Sequence, residues 1–228
     1  KKFFESKKID IKIESLKDIE FNEEIDENGA TLEENSMIKA KAVKKYCDEN
    51  GINKIIIADD TGLMVDALNG APGVHSARYA GDHAPQEVAI NKLLNEMKNV
   101  KYEDRTAHFE CVLTAILPNG EVVIEKGTTN GMIAENPGSM GKLTFGPVFI
   151  PEGFDVDMNE IDESLLGDTH REKAFVKLIE KLKDMDIKNF YVSPLGRARD
   201  TASFTLEKKG QKAEICDWLR EFDAPITG

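Results

Sequence analysis

Ile55-Ile56-Ile57-Ala58-Asp59-Asp60-Thr61-Gly62 sets four apolar residues, three of them β-branched, directly against two carboxylates. An apolar run this short reads as a strand buried on both faces. The spacing predicts that the strand ends at Asp59-Asp60-Thr61-Gly62. Successive strand residues face opposite sides, so Asp59 and Asp60 need separate partners, and one should face a cleft. On the pair alone two readings stay open. The acids cap a turn at Thr61-Gly62, or they serve magnesium, which prefers carboxylate oxygens, waters and phosphates. In the second case a carboxylate also orients or deprotonates an attacking water.

Upstream, Thr31-Leu32-Glu33-Glu34 carries a capping box and opens a helix. Ile38, Ala42 and Tyr46 follow at helical spacing, with Val43 and Cys47 beside them, and Lys39, Lys41, Lys44 and Lys45 on the other face. Asn50-Gly51 ends it. Residues 21–29 read as an acidic loop, Ile9, Ile11 and Ile13 as one face of a half-buried strand, and residues 1–6 as the tail of a helix. Downstream, Gly70-Ala71-Pro72-Gly73 is a turn, 86–98 a helix, 106–117 a strand, and Pro118-Asn119-Gly120 a hairpin turn leading into a partner strand at 121–126. A last helix is predicted over 171–182. Mixed strands and helices without repeats define an α/β or α+β chain.

Composition narrows the function. The net charge is −12, from 30 basic and 42 acidic residues, which argues against non-specific binding to nucleic acid or anionic lipid. A small anionic substrate stays compatible, because a cation and a few placed basic groups reverse the potential locally. No apolar run approaches the ~20 residues of a membrane span, and no signal peptide is visible. Cys47, Cys111 and Cys216 are far apart and odd in number, which fits buried thiols in a reducing, cytoplasmic setting.

The stretch from Ile57 through Asp59-Asp60-Thr61-Gly62-Leu63, then Val65-Asp66-Ala67-Leu68-Asn69-Gly70-Ala71-Pro72-Gly73-Val74-His75-Ser76-Ala77-Arg78-Tyr79-Ala80-Gly81, resembles the signature of the inosine triphosphate pyrophosphatase family. Thr31-Leu32-Glu33-Glu34-Asn35-Ser36-Met37-Ile38-Lys39-Ala40, Arg105-Thr106-Ala107-His108-Phe109-Glu110-Cys111 and Thr169-His170-Arg171 resemble its other motifs, in the same order. The resemblance spans residues 1–182. It implies an α/β fold, with a long mixed β-sheet and flanking helices in two lobes around a central cleft, and a short extra α/β tail here. It also implies a cytoplasmic homodimer that uses Mg2+ to cut purine nucleoside triphosphates (ITP, dITP, XTP) to the monophosphate and pyrophosphate. By the same likeness Asp60 is the proton acceptor and a metal ligand, and Glu27 the second metal carboxylate. Asn35 and Lys39 hold the triphosphate. Asp59, Thr61, His170 and Arg171 contact substrate, and Phe145 stacks on the base. Arg78 is expected to anchor its own loop.

Three departures weaken the match. The family's opening strand and Thr-x-Asn-x-x-Lys phosphate loop have no counterpart before Lys1. Its Gly-Phe-Gly-Tyr-Asp-Pro segment is Lys142-Leu143-Thr144-Phe145-Gly146-Pro147 here, with Gly146 at the Asp position. Its lysine ahead of Ser-His-Arg is replaced at or near Leu165. A catalytically impaired nucleotide-binding remnant is therefore the alternative. Residues 183–228 form a separate expected unit. Asn189-Phe190-Tyr191-Val192-Ser193-Pro194-Leu195-Gly196-Arg197-Ala198-Arg199-Asp200-Thr201-Ala202 and Leu219-Arg220-Glu221 resemble the histidine phosphatase superfamily. That likeness gives Arg197 a phosphate and makes Glu221 a proton donor. His75, His83, His108 and His170 are the chain's histidines, and none stands in the nucleophile's Arg-His-Gly setting, so a phosphomonoesterase is the least favoured reading.

Overall fold

The computed structural model describes residues 14–141, 143–162 and 165–182. The expected strand around Ile9–Ile13, Cys216 and the whole 183–228 unit lie outside them. Helix α1 spans Leu32–Glu49, and Thr31 Oγ1 caps it by accepting the Glu34 amide at 3.1 Å. Glu34 reaches back to the Ala30 amide at 2.6 Å, one residue before the position the capping box predicts. The buried face of α1 is Leu32, Asn35, Ser36, Ala40, Val43 and Cys47. It is rotated from the expected Ile38-Ala42-Tyr46 stripe because two polar residues are buried with partners. Ser36 meets Thr114 of the sheet at 2.5 Å, and Asn35 takes the Gly29 amide at 2.8 Å.

Strand β1 runs from Ile56 to Val65, well past the acids where the sequence predicts its end. Asp and Gly are poor strand formers, but β1 pairs without a break against β3 (Thr106–Ile116), from Ile56↔Ile116 to Val65↔Ala107. This continuous ladder overrides local propensity. The Pro72-Gly73 pair, expected as part of a turn, forms a short edge strand, β2, against Met64 and Leu63. Strand β4, Val122–Ile133, returns through Gly120, whose φ of 85° suits glycine, and extends beyond the predicted 121–126 because it pairs with all of β3. Strand β5 is Phe149–Pro151, and the order β2-β1-β3-β4-β5 is antiparallel at every described pairing.

Strand alternation assigns the helices to faces. Ala58 stands opposite Thr114, so the Ala58/Asp60 side of β1 is the α1 side. Helix α3, His170–Leu182, packs on β3 and β4 from the other side and reaches Asp59. Gly127 in β4 permits that approach: a Cβ there would lie 2.0 Å from the His170 carbonyl oxygen and 2.4 Å from the Ala174 nitrogen. Helix α2, Gln86–Glu96, contributes Ala89, Ile90 and Leu93 to an apolar cluster with Leu63, Val65, Phe109, Phe145 and Phe149. A second cluster joins Ala40, Val43 and Cys47 of α1 to Ile56, Ala58, Ile116 and Phe21. The two clusters occupy opposite ends of β1. Asp59, Asp60 and Thr61 form its middle, less deeply buried than either end.

Candidate active site

On the α1 face the Lys39 ammonium lies 2.8 Å from Asp60 Oδ1 and 2.9 Å from Glu27 Oε2. Burial opposes the lysine's charge, but the two carboxylates outweigh it and hold its pKa above the ordinary value. Burial raises the pKa of Asp60, and Glu27 adds to this, against the pull of Lys39. Asn35 lies beside Asp60 and favours its charged form, yet Asp60 Oδ2 is buried without a hydrogen-bond partner of good geometry.

Glu27 belongs to an irregular segment, and its position depends on contacts from elsewhere. Asn35 Oδ1 fixes the Gly29 amide, and Arg78 Nη2 donates to the Glu27 carbonyl oxygen at 2.9 Å. The expectation that Arg78 anchors its own loop is thus incomplete: it reaches the Glu27 loop. Its own loop is tied down by Ser76, which accepts the Leu63 amide at 2.9 Å and donates to the Gly73 carbonyl at 2.7 Å. Sequence reasoning missed this pairing because Arg78 and Glu27 are 51 residues apart and no local pattern joins them.

On the α3 face Arg171 Nη2 lies 2.7 Å from Asp59 Oδ2 and donates to Thr61 Oγ1 at 3.1 Å. Cys111, opposite Thr61, is buried beside this pair; burial, then the Asp59 charge, pushes its thiol up to about 11. Next along α3, the His170 ring stacks on Phe109 with centroids 5.1 Å apart and planes at 20°. The structure thus groups the predicted residues in two sets, Glu27, Asn35, Lys39 and Asp60 on one face and Asp59, Thr61, His170 and Arg171 on the other. Phe145 joins neither. It is 2% exposed, edge-on to Tyr79, and offers no open ring face for stacking in this conformation. Leu165 is 69% exposed. Gly146 abuts Asn159, whose Oδ1 would lie 2.5 Å from an added Cβ.

The α1 face suits a hard divalent cation. It offers two carboxylates, one with a buried oxygen lacking a partner. Among the described residues no group of three or more His, Cys, Asp or Glu converges, so a cation here would take the rest of its shell from water and substrate oxygens, as magnesium prefers.

The acidic pair at mid-strand thus carries a lysine on one face and an arginine on the other, between two apolar clusters. The chain belongs to the Ham1 family, which matches residues 1–181. It is 40% identical over 184 residues to the dITP/XTP pyrophosphatase of Bacillus subtilis (strain 168), covering 80% of this chain and 89% of that one. The dITP/XTP pyrophosphatase of Bacillus licheniformis is 41% identical over 167 residues, covering 73% and 83%. The solved Staphylococcus aureus Ham1 protein superposes with a TM-score of 0.64 at 37% identity, covering 71% of this chain and 81% of that one. Residues 166–226 also match the histidine phosphatase superfamily (branch 1).

Proposed function

We propose that this protein hydrolyses purine nucleoside triphosphates with non-standard bases (ITP, dITP and XTP) to the monophosphate and pyrophosphate, with Mg2+ held by Glu27 and Asp60. The observation that carries the reading is the Glu27–Lys39–Asp60 cluster at mid-strand, in a chain whose relatives are named dITP/XTP pyrophosphatases. Asp60 accepts a proton from water as the water oxygen bonds to the α-phosphorus. The bond from that phosphorus to the bridging oxygen breaks, and its electron pair leaves with pyrophosphate. Burial beside a second carboxylate raises the proton affinity of Asp60, which suits a general base. Lys39 moves part of its charge from the carboxylates to the leaving group, where charge develops. A divalent cation held by Glu27 and Asp60 would supply Lewis-acid stabilisation of the same phosphates. Arg171, held by Asp59 and bonded to Thr61, presents donors on the opposite face. The homodimer and the cytoplasmic location implied by the resemblance belong to the same proposal. Among the described residues no helix is long and apolar enough to cross a membrane.

Incubation with ITP and Mg2+ followed by product identification tests the reading. It expects IMP and pyrophosphate; inosine diphosphate as first product would overturn it. A second reading, nucleotide binding without turnover, is favoured by the buried Phe145 ring and by Gly146. It expects ITP to bind and remain intact in the same assay.

A further inference from the structure

The contacts around the acidic cluster close into a ring that starts and ends on β1. The Leu63 amide donates to Ser76, Ser76 fixes its loop to Gly73, and Arg78 of that loop holds the Glu27 backbone. Glu27 meets Lys39, and Lys39 meets Asp60, back on β1. The Glu27 carboxylate is therefore held from two directions. Helix α1 supports it through Asn35 and Lys39, and the sheet edge supports it through Ser76 and Arg78. The first support shares an element with Lys39. The second ties the Glu27 backbone to the strand that bears Asp60 without passing through Lys39.

We propose that Arg78 is a positioning residue: its guanidinium, through the Glu27 carbonyl, sets the separation of the Glu27 and Asp60 carboxylates and so the affinity of the site for its divalent cation. The proposal rests on the reading of Glu27 and Asp60 as cation ligands. Neither residue type nor burial makes Arg78 a ligand itself, because a guanidinium donates and does not coordinate. Its effect passes through backbone, so it acts on the loop whatever the nucleotide. A flexible Glu27 loop would have to be ordered at the moment of cation binding, and that ordering weakens affinity.

The test is Mn2+ binding to the full chain without nucleotide, followed by the loss of the free-ion electron paramagnetic resonance signal. The chains compared are the parent, Arg78→Ala, Arg78→Lys, Ser76→Ala, Glu27→Gln and Asp60→Asn. Arg78→Ala should weaken binding about ten-fold, the worth of one hydrogen bond from a charged group. Arg78→Lys should recover part of the loss, since an ammonium still donates to a carbonyl, and Ser76→Ala should fall in between. If Glu27→Gln and Asp60→Asn bind Mn2+ like the parent, the cation-site reading fails. If those two lose binding while folded Arg78→Ala keeps parental affinity, the proposal fails and the site reading stands. An Arg78→Ala chain with parental Mn2+ affinity but a raised KM for ITP would make Arg78 a substrate contact instead, which also overturns the proposal. Should Arg78→Ala not fold, Ser76→Ala and Arg78→Lys decide: parental affinity in both overturns it.

Discussion

Asp60→Asn keeps the shape of the side chain but accepts no proton and binds a cation poorly. It should lower ITP turnover by about 100-fold or more while the circular dichroism spectrum stays that of the parent; turnover within a few-fold would place the base elsewhere. At Gly146 the family residue is expected to harm. An aspartate Cβ would press on the Asn159 carboxamide, which is fixed by its bond to the Ser139 carbonyl at 2.9 Å. Gly146→Asp should therefore cost about 1 kcal/mol in urea unfolding, one displaced hydrogen bond; a parental midpoint would mean that the Asn159 side chain yields without loss. Cys111 gives a pH dependence. Its folded pKa, about 11, lies above that of an unfolded thiol, so the native chain keeps a proton that the unfolded chain releases. Its contribution to stability is complete below about pH 8.5 and is lost as pH rises toward the folded value, at about 1.4 kcal/mol per unit. Cys111→Ala should flatten that slope between pH 8.5 and 10.5; an unchanged slope would exclude this thiol as its source.

Elements differ in how much of them the sequence discloses. Helix α1 is legible because Thr31 and Glu34 announce its start and Asn50-Gly51 its end, and its bounds match. Its buried face is not, because Asn35 and Ser36 are buried through partners that lie beyond any local window. Strand β1 reads correctly over its apolar half and too short beyond it, because the pairing partner in β3 is remote in sequence. The site follows the same division. The acids and their need for separate faces are visible in two adjacent letters, whereas the Arg78 contact and the burial of Phe145 arise only from tertiary packing. The contact between α3 and β4 depends on the missing side chain at Gly127. Gly127→Ala should push α3 outward, lower stability by about 1–3 kcal/mol and shift the Arg171–Asp59 pair with it. A parental melting temperature would mean that the helix yields without loss.

At the scale of the whole molecule, the Ham1 match ends at residue 181 and the histidine phosphatase match covers 166–226. Every residue of the site described lies between Glu27 and Arg171, so a chain ending at Leu182 should retain the parental kcat/KM for ITP; a folded truncation without turnover would tie the two parts together. The division of β1 reaches further. Asp59 and Asp60 are neighbours in the chain, yet their ion-pair partners, Arg171 and Lys39, share no contact and stand on opposite sides of a sheet. Each acid answers to the helix on its own face, Asp60 to α1 through Lys39 and Asp59 to α3 through Arg171. A displacement of one helix therefore reaches β1 through one acid and leaves the ion pair of the other in place.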